Sequence, residues 1–220
     1  MMSPEIIDLS HTLSSSISVY PGTDKPVIKS IATFEPDGYR EKKLVLSTHH
    51  GTHIDCPIHL LTKGFNTATA SLSQFYGTGQ VIDLRPYNPS ERIALEVLSR
   101  REKEINDADF LLFCTGMDKY WNTPLYEGLF HVLSSAAAEY LARFPLKGIG
   151  IDTLSVDPVN DNALINHKIF LSHNIIIIEN LNGLDQLIGK KFRFNCFPLK
   201  IEEGDGSPVR ACAILEGFES

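Results

Sequence analysis

Ser47-Thr48-His49-His50-Gly51-Thr52-His53-Ile54-Asp55-Cys56-Pro57-Ile58-His59 holds four of the chain's eight histidines, with an aspartate between the last two. A packed core has no use for such density, because each buried imidazole must find a hydrogen-bond partner or take a desolvation cost. Neutral imidazole and carboxylate together are the ligand set of zinc, manganese or iron. Pro57 biases Cys56 away from helical backbone, so the residues before it should be extended. On an extended segment His53 and Asp55 face the same side. Gly51 permits a turn that folds His49 back towards them. His50 points away from the His49 face and reads as a structural histidine. Cys56 points opposite to Asp55 and reads as packing. A zincin helix would need a glutamate directly after its first histidine, and His50 stands there instead.

Outward from this stretch, strands and helices alternate. Ile6–Leu9, Val27–Phe34 and Lys43–Ser47 read as strands, the last delivering the chain to His49. Gln80–Leu84 is another strand. Arg92–Ile105 has the periodicity of an amphipathic helix. The run Asp109–Cys114 fits a strand buried on both faces. Met117–Phe130, with the only tryptophan, reads as a loop. Ser134 or Ser135 can cap a helix, and Gly148–Asp152 is the next strand. Asp161 could cap a helix to Ser172 that carries His167. Asn174–Glu179, almost wholly isoleucine, should be a central strand. Arg193–Ile201 and Val209–Leu215 close the chain as strands, joined by the turn-rich connector Glu202–Pro208. The expectation is one α/β domain over residues 1–220 with a mixed sheet.

Composition narrows the function classes. The chain has 220 residues, 43% of them hydrophobic, and a net charge of −7, as in a soluble globular protein and against a nucleic-acid binder with a basic stripe. The most apolar run, Ile175–Ile178, is too short to span a bilayer. The amino terminus lacks a signal-peptide pattern, and the four cysteines form no C-x-x-C pair. A cytoplasmic protein with reduced thiols is the expectation. No G-x-G-x-x-G, P-loop or G-x-S-x-G occurs, so nothing supports a nucleotide cofactor or a serine nucleophile.

Glu179 and His167 leave two readings open. Glu179 ends an apolar strand, and His167 lies on the helix just before it, so both could reach the metal. Equally, they could be a solvated strand end and a surface helix residue.

The motif His-x-x-x-His-x-Asp-x-x-x-His at residues 49–59, with Gly51-Thr52 and Pro57, resembles the signature of the cyclase-like metal-dependent hydrolases. That family includes bacterial kynurenine formamidase and isatin hydrolase. The likeness extends through Ile7-Asp8-Leu9-Ser10, Gly150-Ile151-Asp152, Ser155-Val156-Asp157-Pro158 and Glu179-Asn180-Leu181. It implies a barrel-like mixed sheet flanked by helices, and a homodimer or homotetramer. It also implies His49, His53, Asp55, His167 and Glu179 as ligands of two divalent ions, zinc or manganese, with Asp55 and Glu179 shared and His59 as acid/base. Tyr20, in Tyr20-Pro21-Gly22, stands where kynurenine formamidase usually has a pocket tryptophan, so Tyr20 is the expected substrate contact.

The expected activity is hydrolysis of a small amide, N-formylkynurenine to kynurenine and formate. The alternatives are isatin or another cyclic amide or ester, or a metal-dependent small-molecule binding protein without turnover.

Overall fold

The computed structural model describes residues 4–215. The chain opens with β1 (Glu5–Asp8), then β2 (Val27–Ala32), the single turn α1 (Phe34–Asp37) and β3 (Glu41–Val45). β2 and β3 pair only with each other, as an antiparallel ribbon apart from the main sheet. β3 leads the chain to His49, as the alternation suggested, but it belongs to a different sheet from the histidine stretch. That stretch forms a separate strand, β4 (His53–Asp55). Ile54 and Cys56 alternate with the polar residues there, and both are fully buried. Their burial pulls this short segment into the main sheet.

β5 (Tyr76–Asp83) follows. The amphipathic stretch 92–105 then folds as two helices, α2 (Leu95–Ser99) and α3 (Glu102–Asn106), not one. The backbone of Ile93 bonds Val132 and Ser134 on a neighbouring segment, and Arg101 leaves the helical region. Tertiary bonding thus overrides the local periodicity. Next come β6 (Phe110–Cys114), α4 (Ser135–Leu141), β7 (Gly148–Ile151), α5 (Ile165–Ser172) and β8 (Ile176–Glu179). Ser134 caps α4 by accepting the Ala137 N–H. β9 (Phe192–Asn195), β10 (Gly206–Pro208) and β11 (Cys212–Leu215) complete the order. β10 falls inside the expected connector.

The main sheet runs β1-β11-β9-β5-β6-β7-β8-β4-β10. β5 to β8 are parallel, and the strands on either side are antiparallel. The apolar runs of the central strands are buried on both faces. Leu111, Phe113, Ile149 and Ile177 face one core, shared with Leu98, Leu141 and Phe170 of the helices. Phe110, Leu112, Ile176 and Ile178 face a second core, joined there by Ile7, Ile54, Phe194 and Ala213 from the outer strands. Residues from both ends of the sheet meet in this second core, so the sheet curls on itself as a half-barrel with the α2, α4 and α5 helices outside it. Among the described residues no helix is long and apolar enough to cross a membrane. The Met117–Phe130 segment packs against the body. Trp121 stacks on His11 with ring centroids 4.2 Å apart, and Tyr126 is fully buried.

Asp109 ties together the entries of β5, β6 and β7. Its carboxylate accepts Thr78 N (2.8 Å) and Thr78 Oγ1 (2.9 Å), and pairs with Lys147 Nζ at 3.2 Å. Burial pushes its pKa up, but these donors outweigh burial and hold it below the usual carboxylate range. A depressed folded-state pKa gives stability that is complete above the unfolded value, roughly 3.9, and is lost as pH falls through the folded value. Asp109→Asn should cost about 1 kcal/mol at neutral pH, given partial exposure. Urea unfolding at a series of pH values should show that gap to the parent closing on acidification; a gap independent of pH would reject this role.

Candidate metal centre

β4 lies between β8 and β10, antiparallel to both. The register sets His53 opposite Glu179, and Asp55 opposite Gly206. α5, packed on β8, brings His167 to the same place. The loop between β3 and β4 turns at Gly51 (φ 68°) and returns His49 over Asp55. Pro57–His59 forms a short 3-10 turn that presents His59. His49, His53, Asp55, His59, His167, Glu179 and Tyr20 thus line one cavity of about 290 Å³. Sequence reasoning from residues alone left His167 and Glu179 open, and the fold brings both in.

His53 Nε2 lies 3.4 Å from Asp55 Oδ1 and 3.5 Å from Glu179 Oε2. His167 Nε2 lies 3.6 Å from Asp55 Oδ2 and 3.4 Å from Glu179 Oε1. These separations are long for hydrogen bonds. They match the ligand-to-ligand edge of a tetrahedral zinc site, about 3.4 Å for bonds of about 2.0–2.1 Å. The other ring nitrogens are fixed. His53 Nδ1 donates to Gly51 O at 2.9 Å, and His167 Nδ1 pairs with Asp157 Oδ2 at 2.7 Å. In both rings Nε2 is the nitrogen that faces the carboxylates, the arrangement usual for metal-ligating histidines. A second group, His49, Asp55 and His59, shares Asp55 with the first. The donor set therefore fits one or two divalent cations.

The charge balance points the same way. Asp55 is 1% exposed and Glu179 5%, and among the described residues no lysine or arginine lines the cavity. Apart from the Val156 N–H that Glu179 Oε1 accepts at 3.0 Å, the groups facing these carboxylates are imidazoles. Burial alone would raise the Asp55 pKa, yet the adjacent imidazoles, His49 first and then His167 and His53, drive it well below the usual range. Burial would lower the His49 pKa, but Asp55 and Asp205 raise it to about 10. Burial likewise disfavours protonated His167, but the hydrogen bond to Asp157 and the nearby carboxylates of Asp55 and Glu179 raise its pKa well above the ordinary value. The site demands positive charge, which a divalent ion would supply.

His49 has both ring nitrogens engaged, with Asp55 Oδ1 at 2.7 Å and Asp205 Oδ2 at 2.9 Å. His50 is a buried structural histidine: its Nδ1 accepts Ser47 N–H and its Nε2 meets Asp24 O. Cys56 is buried in the inner core, and burial pushes its thiol up to about 12, which suits packing. Tyr20 donates its hydroxyl to Val159 O at 2.9 Å, so the cavity meets mainly its ring.

Three residues about the site went unassigned from sequence. Asp157 accepts the N–H groups of Asn166 and His167 at the start of α5, besides holding the His167 ring. It does what was expected of Asp161, which only braces a turn at Ala163. Asn180 donates to Gly51 O and accepts from Tyr126, clamping the histidine loop to the end of β8. Asp205 lies in the connector just before β10. The quoted segments around Asp157 and Asn180 marked them; nothing local marked Asp205.

Asp157→Asn should keep the fold and weaken zinc binding about 10–100-fold, measured by competition with a chromophoric chelator. Parental affinity in this variant would remove Asp157 from the metal centre.

A family model described as "Putative cyclase" matches residues 7–158. A kynurenine formamidase of Bacillus cytotoxicus is 30% identical over 213 residues, spanning 96% of this chain and 98% of that protein. Among solved structures, an isatin hydrolase bound to the product analogue thioisatinate superposes with a TM-score of 0.86 at 23% identity, covering 97% of this chain and 93% of the other. A potential metal-dependent hydrolase with cyclase activity gives 0.81 at 26% identity, covering 98% and 100%. With the family model matched over more than half its length and a relative aligned almost end to end, this chain belongs to the cyclase family.

Proposed function

We propose that this protein is a metal-dependent hydrolase of a small amide, with N-formylkynurenine as the substrate and kynurenine and formate as the products. The observation that carries the reading is the convergence of His53, His167, Asp55 and Glu179 in a pocket lined by no lysine or arginine among the described residues. His49, His53, Asp55, His167 and Glu179 would hold two zinc or manganese ions, with Asp55 within reach of His49, His53 and His167. A metal bound there lowers the pKa of coordinated water and polarises a carbonyl.

The chain's own groups do the rest. His59 lies beside the carboxylates at the cavity wall, its side chain 26% exposed. That position lets it take a proton from the attacking water and return it to the leaving amine. Val19, Leu154 and Leu164 with the Tyr20 ring give the cavity an apolar surface for an aromatic substrate. The formamidase relatives favour N-formylkynurenine, whereas the likeness to isatin hydrolase favours a cyclic amide as the second reading.

Stripped protein reloaded with zinc or manganese should hydrolyse N-formylkynurenine, and parallel assays on isatin should be slower. Asp55→Ala should lose metal by elemental analysis. His59→Ala should keep it and lose about 10²–10⁴-fold in kcat. Metal uptake with no turnover of N-formylkynurenine would reject the substrate, and full activity in Asp55→Ala would reject the metal role.

We also infer a homo-oligomer. The β2–β3 ribbon leaves Val27, Ile31, Leu44 and Val45 each more than half exposed. A two-stranded ribbon is marginal in water without a packing partner. Light scattering should give at least twice the 24.5 kDa chain mass, and a Leu44→Lys change should lower it; a parent of monomeric mass would overturn the assignment.

A further inference from the structure

Asp205 is held more firmly than its place in a turn-rich connector suggests. Its carbonyl accepts Cys56 N–H at 2.8 Å, and the preceding Gly204 carbonyl accepts Thr67 N–H at 2.9 Å. The following residue, Gly206, pairs with Asp55 across β10 and β4. A Cβ at Gly206 would stand 2.6 Å from Ile54 O and 2.9 Å from His49 Cε1. Only glycine lets the strand approach this closely. The sheet therefore carries the Asp205 carboxylate to the edge of the candidate metal centre.

There one oxygen, Oδ2, meets His49 Nε2 at 2.9 Å and His59 Nδ1 at 3.2 Å. The two rings sit with centroids 4.3 Å apart. A carboxylate can only accept, so His59 must donate from Nδ1. The lone pair of the neutral ring is then on Nε2. We propose that Asp205 is a positioning residue for His59, fixing the Nδ1–H tautomer that leaves the Nε2 lone pair free to take a proton. This deepens the proposed function and rests on His59 being its acid/base group. Asp205 touches neither substrate nor reacting atoms; it acts through His59.

The test combines a double-mutant cycle with a probe that needs no substrate. Asp205→Ala should lower kcat on N-formylkynurenine about 10–100-fold, with KM within about twofold and the metal content of the parent. In a His59→Ala background, the same change should alter kcat by less than about twofold, because groups acting as a unit are not additive. NMR of isotope-labelled histidine, with His59 assigned by its loss in His59→Ala, should show one Nδ1–H tautomer in the parent and a mixture in Asp205→Ala. A full further loss in the His59→Ala background would overturn the proposal. So would metal loss that accounts for all the lost activity, or an unchanged His59 tautomer. If the parent does not hydrolyse N-formylkynurenine, the proposed substrate fails, and the tautomer measurement still decides the role of Asp205.

Discussion

Everything at the candidate site depends on three residues of strand, His53–Asp55, held between two antiparallel neighbours. That register puts two buried carboxylates, Asp55 and Glu179, within 3.6 Å of two imidazole nitrogens. Carboxylates removed from water are costly unless positive charge accompanies them. The sheet cannot relieve this by shifting the strand, because a one-residue slip would turn Ile54 and Cys56 into the polar cavity and His53 and Asp55 into the apolar core. Hydrophobic burial on one face of β4 thus enforces polar convergence on the other.

The surrounding hydrogen bonds serve that arrangement. Asp157 joins helix to site: the same carboxylate caps the backbone of α5 and orients His167. Gly51 O takes the His53 ring N–H and the Asn180 amide together, so the loop that carries His49 is bound to the strand that carries Glu179. Holding the imidazole and carboxylate groups on the sheet and the helix packed on it, with the rings pre-oriented, limits the reorganisation needed when a cation binds. The cavity's polar half is fixed by the sheet, and its apolar half comes from loops around Tyr20 and Leu164.

The elements legible from sequence were those governed by one strong local rule. The apolar runs of β6 and β8 are buried on both faces, and Ser134 caps α4. The His53/Asp55 pair shares a face because extended backbone alternates. The elements misread were those where a distant partner decides. The stretch 92–105 looked like one helix until Ile93 was drawn into a bridge with Leu133. Gly206–Pro208 is too short, and too rich in glycine and proline, to read as a strand; only pairing with β4 makes it one. Asp161 had the residue type of a helix cap, but Asp157, nine residues before Asn166, takes those donors instead.

By itself the sequence determined the ligand chemistry, the shared face of His53 and Asp55, and the α/β alternation. These depend on residue type and on periods of a few residues, which any local conformation must respect. Tertiary structure alone decided that β2 and β3 stand apart as a ribbon, that the sheet curls until its outer strands share one core, and that Asp205 meets a histidine 146 positions away. Those outcomes follow from which apolar faces bury each other, and that choice is made between segments far apart in the chain.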